Sequence, residues 1–112
     1  MRVARPPDVS ATRDHAIALR LAIVGFGMFG QRHARTIAAD PGCVLAAVAD
    51  ASDTVARAAA EFGVTCWPEY AAMFDAVKPD GVVIATPNAL HVPVAMAAVA
   101  RGIPVLLEKP IA

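Results

Sequence analysis

RLAIVGFGMFG, residues 20–30, decides how this chain is read. A short apolar run, Leu21–Val24, enters a G-x-G-x-x-G pattern directly, and apolar residues then recur at helical spacing. From Met28 to Ala39, Gly30, Ala34, Ile37 and Ala38 share one face of a 3.6-residue period, while Gln31, Arg32 and Arg35 lie elsewhere. Asp40-Pro41-Gly42 stops the helix. A strand feeding a glycine turn that opens a helix is the first half of a parallel β-α-β unit.

The same alternation continues outward. CVLAAVAD (43–50) is apolar until Asp50, as expected of a strand covered on both faces. TVARAAAEF follows as a helix, with Ser52 as N-cap and Gly63 as the C′ residue. VTCW is a short third strand, and Pro68 suits the first turn of the next helix. In that helix Tyr70, Phe74 and Val77 fall at i, i+4 and i+7. GVVIAT is a fourth strand and TPNALH a loop. The next helix starts near His91, which keeps Pro93 in its first turn. Gly102 ends that helix, and PVLLE is the fifth strand. Five strands joined by four short helices predict right-handed crossovers and a doubly wound parallel sheet ordered 3-2-1-4-5.

The totals narrow the class. A chain of 112 residues with 57% hydrophobic content and a mean hydropathy of +0.53 is either a covered sheet or a membrane protein. No apolar run approaches the ~20 residues a bilayer requires, so no membrane partner is expected. Ten basic and ten acidic residues cancel, which gives no reason to expect nucleic acid. Residues 1–18, with Arg2, Arg5, Arg13, Pro6 and Pro7, are read as a loose extension. The domain proper is 19–112. Cys43 and Cys66 stand alone, without C-x-x-C or a neighbouring His, so neither a metal site nor a disulfide is expected and a reducing, cytoplasmic setting fits.

The glycine turn assigns roles. Gly25 permits the tight turn, and Gly27 lets backbone approach a pyrophosphate. Gly30 allows close helix–sheet packing. Together with Phe26, the free N–H groups of Met28 and Phe29 at the positive helix end form the phosphate cradle. Asp50, 25 positions after Gly25, can accept both hydroxyls of an adenosine ribose and repels a 2′-phosphate. With no arginine at 51 or 52, NAD is favoured over NADP. An acid there also suits S-adenosylmethionine, so Asp50 alone does not choose the ligand class.

ATPNALHVPVAMAAVARGIPVLLEKPIA, taken with LAIVGFGMFGQRHA, VLAAVAD and PDGVVIATP, resembles the Gfo/Idh/MocA oxidoreductase family over residues 20–112. The resemblance implies that Thr86, Pro87 and Asn88 line the groove under the nicotinamide ribose, with His91 beside them. It implies that Glu108 and Lys109 reach the nicotinamide end, that Lys109 is the catalytic group, and that the bond before Pro110 is cis. Taken alone, Lys109 could be a solvated turn residue, Glu108 half of a surface ion pair and His91 a helix-start residue. The implied chemistry is hydride exchange between nicotinamide and a secondary alcohol of a sugar or polyol. Family members continue into a second domain that supplies the substrate pocket. The expectation is therefore a nucleotide-binding portion inactive by itself, with a small sugar or polyol as partner only if that domain is supplied. The alternative is a stand-alone dinucleotide-binding or sensing module.

Overall fold

The structure, a computed structural model, describes residues 18–107. It contains a five-stranded parallel sheet in the order β3-β2-β1-β4-β5, the doubly wound order expected from the sequence. The strands are β1 (Leu19–Val24), β2 (Cys43–Ala49), β3 (Cys66–Trp67), β4 (Gly81–Ile84) and β5 (Val105–Leu107). Between them run α1 (Met28–Ala38), α2 (Ala56–Glu61), α3 (Tyr70–Val77) and α4 (His91–Ala100).

Period-two alternation along the central strands sorts their side chains into two cores. Leu21, Ile23, Val48 and Val83 face Ala34 and Ile37 of α1 and Ala59 of α2. Ala22, Val24, Ala47, Ala49, Val82 and Ile84 face Met73 and Phe74 of α3 and Val94 and Ala98 of α4. Each fully buried Leu, Ile or Val contributes about 1.5–3 kcal/mol, which is why β4 and the Leu21–Val24 part of β1 are apolar. Arg20 fastens the amino end of β1 to the turn before β4. Its backbone N–H donates to Asp80 Oδ2 (2.8 Å), and its guanidinium to the carbonyls of Val77 (3.1 Å) and Lys78 (3.2 Å).

Several local expectations change. Coverage of β2 is uneven: Cys43, Ala47, Val48 and Ala49 are buried, whereas Val44 is 47% exposed. The β1–β2 register also shifts, Leu21 pairing with Leu45 but Ala22 with Ala47. Ala38 is exposed, one position beyond the buried stripe Gly30, Ala34, Ile37. The helix after Ser52 begins as a 3-10 turn (Asp53–Val55), with Ser52 Oγ accepting from Thr54 N (3.3 Å) as its cap. Pro68 stands outside α3, because Glu69 takes the N-cap position and accepts from Ala72 N (3.0 Å). α4 follows a 3-10 turn at Asn88–Leu90 and keeps Pro93 in its first turn. Among the described residues, no helix is long and apolar enough to cross a membrane.

Candidate functional site

At the carboxyl edge of the sheet, the turn from β1 to α1 is shaped by three glycines with three different reasons. Gly25 has φ +94°, the left-handed region that strains any side chain. A Cβ there would also stand 2.9 Å from the carbonyl carbon of Ala85 and from Thr86 N and Cγ2. The turn after β4 presses on it. Gly30 is closed differently: an added Cβ would collide with the Gly25 carbonyl oxygen, so the helix packs on its own entry turn as much as on the sheet. Gly27 is open. With φ −77° it is unstrained, and an added Cβ would meet nothing within 4 Å.

Gly27 is the N-cap of α1, and no side chain caps that end. Met28 and Phe29 are exposed there, at 69% and 47%. The amides of a first helical turn lack intrahelical partners and carry the positive end of the dipole, the usual setting for an anion. Phe26 plays another part. Its ring is buried edge-on against Phe62 (centroids 5.8 Å apart), and its N–H donates to Asp50 Oδ2 at 2.7 Å. Its amide is therefore engaged within the protein.

Asp50 follows β2 and is half-buried. Besides Phe26 N, it accepts from Ser52 N through Oδ1 (2.8 Å). The carboxylate thus ties the glycine turn to the loop after β2, a structural role that strand-end position alone does not reveal. Each oxygen keeps further accepting capacity. Hydrogen bonds to a charged group stabilise by about 1.5–3 kcal/mol each, so the turn is preorganised. Cys66 lies nearby, with Sγ 3.9 Å from Asp50 O. Burial, then the Asp50 charge, pushes its thiol pKa up.

The turn from β4 to α4 is built on side chains. A ring nitrogen of His91, Nε2, lies 2.7 Å from Thr86 O. A carbonyl only accepts, so Nε2 carries the hydrogen and Nδ1 of the neutral ring is left as an acceptor. Thr86 Oγ1 is buried with no hydrogen-bond partner, the one such side-chain atom among the described residues. Buried hydroxyls are nearly always paired, with protein, water or ligand, so this atom is available to a further partner. Asn88 opens the 3-10 turn before α4. Glu108, Lys109 and the bond before Pro110 lie outside the described residues.

One cavity of about 960 Å³ spans the two turns. Gly25, Gly27, Met28, Phe29 and Asp50 line it on one side, and Thr86, Pro87 and His91 on the other. Val24, Ala49 and Ala85 form its floor at the strand ends. Sequence reading missed Glu69, Tyr70, Leu90 and Val94 in this wall; the helical spacing of Val94 and the N-cap position of Glu69 were the available signals. The volume sits near the top of the ~300–1,000 Å³ usual for ligand and cofactor sites. The open space over Gly27 and the orphan Thr86 hydroxyl fit an elongated ligand carrying phosphate and hydroxyl groups.

The family model described as an oxidoreductase family with NAD-binding Rossmann fold, Gfo/Idh/MocA, matches residues 19–112. The rhizopine catabolism protein MocA of Rhizobium meliloti is 40% identical over 91 residues, covering 81% of this chain and 29% of that protein. Inositol 2-dehydrogenase 4 of Saccharopolyspora erythraea is 41% identical over 96 residues, covering 83% and 28%. Among solved structures, scyllo-inositol dehydrogenase from Lactobacillus casei with bound NAD(H) and scyllo-inositol superposes with a TM-score of 0.78 at 28% identity, covering 84% of this chain and 28% of that one. The chain thus spans under a third of the length of these relatives. A glycine turn, a strand-end aspartate and a TPN-x-x-H segment meeting over one cavity are in keeping with that match, and the chain belongs to the Gfo/Idh/MocA oxidoreductase family through its NAD-binding Rossmann domain.

Proposed function

We propose that this domain holds NAD, in preference to NADP, for a dehydrogenase that moves hydride between nicotinamide and a secondary alcohol of a sugar or polyol. The observation that carries the reading is the space over Gly27: the chain's own packing has no use for a glycine there, whereas an approaching pyrophosphate does. Named relatives act on inositols, which supports a cyclic polyol as the alcohol.

Each residue group has a task in this reading. The first turn of α1 binds the pyrophosphate through the amides of Met28 and Phe29. Asp50, held by Phe26 N and Ser52 N, presents its free lone pairs to the adenosine ribose. Thr86 Oγ1, Pro87, Asn88 and His91 orient the nicotinamide half. When bound, nicotinamide supplies the hydride-accepting carbon. β5 runs parallel to β4 and ends at the same sheet edge, which supports the assignment of Glu108 and Lys109 to the reacting end, Lys109 as the proton-handling group. The substrate pocket is assigned to residues outside those described. Cys43 and Cys66 are not joined in a disulfide, which suits a reducing, cytoplasmic setting.

Calorimetric titration of the chain with NAD, NADP and S-adenosylmethionine tests the proposal. NAD is expected to bind tightest and S-adenosylmethionine not at all. Preference for S-adenosylmethionine, or no heat with NAD, rejects it.

A further inference from the structure

We infer that Glu69 is a second cofactor-selecting residue, acting with Asp50 to keep a 2′-phosphorylated dinucleotide out of the cavity. The inference rests on the proposed function and extends it to a residue that the glycine fingerprint does not contain.

Of the described residues whose side chains line the cavity, the charged ones are Asp50 and Glu69, both carboxylates, and no lysine or arginine is among them. They sit on adjoining strand exits. Asp50 N donates to Trp67 O (2.9 Å), so the β2–β3 ladder runs up to Asp50 itself, and the chain reaches Glu69 two residues after Trp67. Glu69 is also fixed in place. As N-cap of α3 it accepts from Ala72 N through Oε1 (3.0 Å), which holds its carboxylate at the cavity wall. Its neighbours Pro68 and Tyr70 line the same wall.

A ribose 2′-phosphate carries about −1.5 to −2 charge near neutral pH. Placed at the adenosine end, it would meet two carboxylates and, among the described lining residues, no compensating cation; Arg101, which feels the Glu69 charge, is outside that lining. A 2′-hydroxyl meets acceptors it can donate to. Asp50 acts by direct contact and Glu69 by like charge across a solvated rim, an effect that salt weakens.

The test is calorimetric titration of the full chain with NAD and NADP, wild type against Glu69→Gln. Glutamine keeps an oxygen for the cap and removes the charge. NADP affinity is expected to rise roughly three- to tenfold with NAD within twofold, and the gain should shrink in about 1 M salt, where the Debye length falls to ~3 Å. Glu69→Ser, which also caps helices, guards against an artefact of the amide and should behave alike. An unchanged NADP-to-NAD ratio in both variants, with thermal unfolding as in wild type, overturns the inference and leaves the functional proposal standing. Equal weakening of both dinucleotides marks a purely structural cap and also overturns it. A wild-type chain that binds neither dinucleotide overturns both.

Discussion

Two strand-to-helix turns meet at the carboxyl edge of the sheet, and they are made in opposite ways. The β1–α1 turn is bare backbone: buried Gly25 and Gly30, open Gly27, and a helix end with no side-chain cap. The β4–α4 turn is dressed with side chains: Thr86, Pro87 and a His91 ring bonded to Thr86 O, with a 3-10 turn interposed. They touch, since the missing Cβ of Gly25 makes room for Thr86. Backbone suits the invariant part of a dinucleotide, its pyrophosphate, where close approach matters more than chemical identity. Side chains suit the half at which hydroxyls must be told apart and a proton handled. The contrast teaches that glycine in a fingerprint is not one requirement but three.

The sharpest way to break this comparison is Gly30→Ala. A Cβ directed at the Gly25 carbonyl oxygen must move backbone, at the top of the overpacking range of about 3 kcal/mol. Thermal unfolding should show Tm falling by roughly 12–24 °C; a Tm close to wild type would mean that the turn yields. Gly27→Val separates the glycines. Stability should fall by no more than about 1 kcal/mol, the scale of a poorer N-cap. NAD affinity should nevertheless drop at least about 100-fold, ~2.7 kcal/mol. Loss of fold and ligand together would erase the distinction between the open and closed glycines.

On the other turn, Thr86→Val should act with two signs. Removing an unpaired buried hydroxyl relieves a desolvation penalty of about 1–3 kcal/mol, so the free chain should become more stable by about 1 kcal/mol. NAD binding should weaken about five- to tenfold, the loss of one hydrogen bond. A gain in stability without loss of affinity would show that the hydroxyl does not face the ligand. His91→Ala should be mildest, about 1 kcal/mol in denaturant unfolding for one half-buried hydrogen bond. A larger cost would mean that the second turn, like the first, is held by packing.

Much of this was legible in advance. Strand positions, the 3-2-1-4-5 order and the glycine turn follow from apolar runs and local spacing, which the chain carries in consecutive residues. Third-dimension facts were hidden. Nothing near Gly25 announces that Ala85 and Thr86, 60 and 61 positions on, press against it. Asp50 is readable as a ribose ligand from its place at a strand end, but its bonds to Phe26 N and Ser52 N depend on how the turn folds back. Pro68 misled because a helix-compatible φ is permissive, whereas the Glu69 side chain supplies an actual cap. β3 shrank to Cys66–Trp67 because an edge strand needs only enough residues to pair with Val48 and Ala49. The second turn was read through family resemblance, since His91 and Thr86 have no period or pattern to mark them.

Among the described strands, the middle one of the sheet is also the first to be made. One flank of β1 pairs with β2, the next strand in the chain, but the other pairs with β4, Leu21 opposite Gly81. At a translation rate of about 5–20 residues per second, the stretch from Ala49 to Gly81 takes roughly two to six seconds. Throughout that interval a nascent chain offers an unpaired apolar edge to neighbours on the same message. Slowing the codons of those intervening residues should therefore raise the insoluble fraction on expression, which fractionation of a codon-altered gene's product would show.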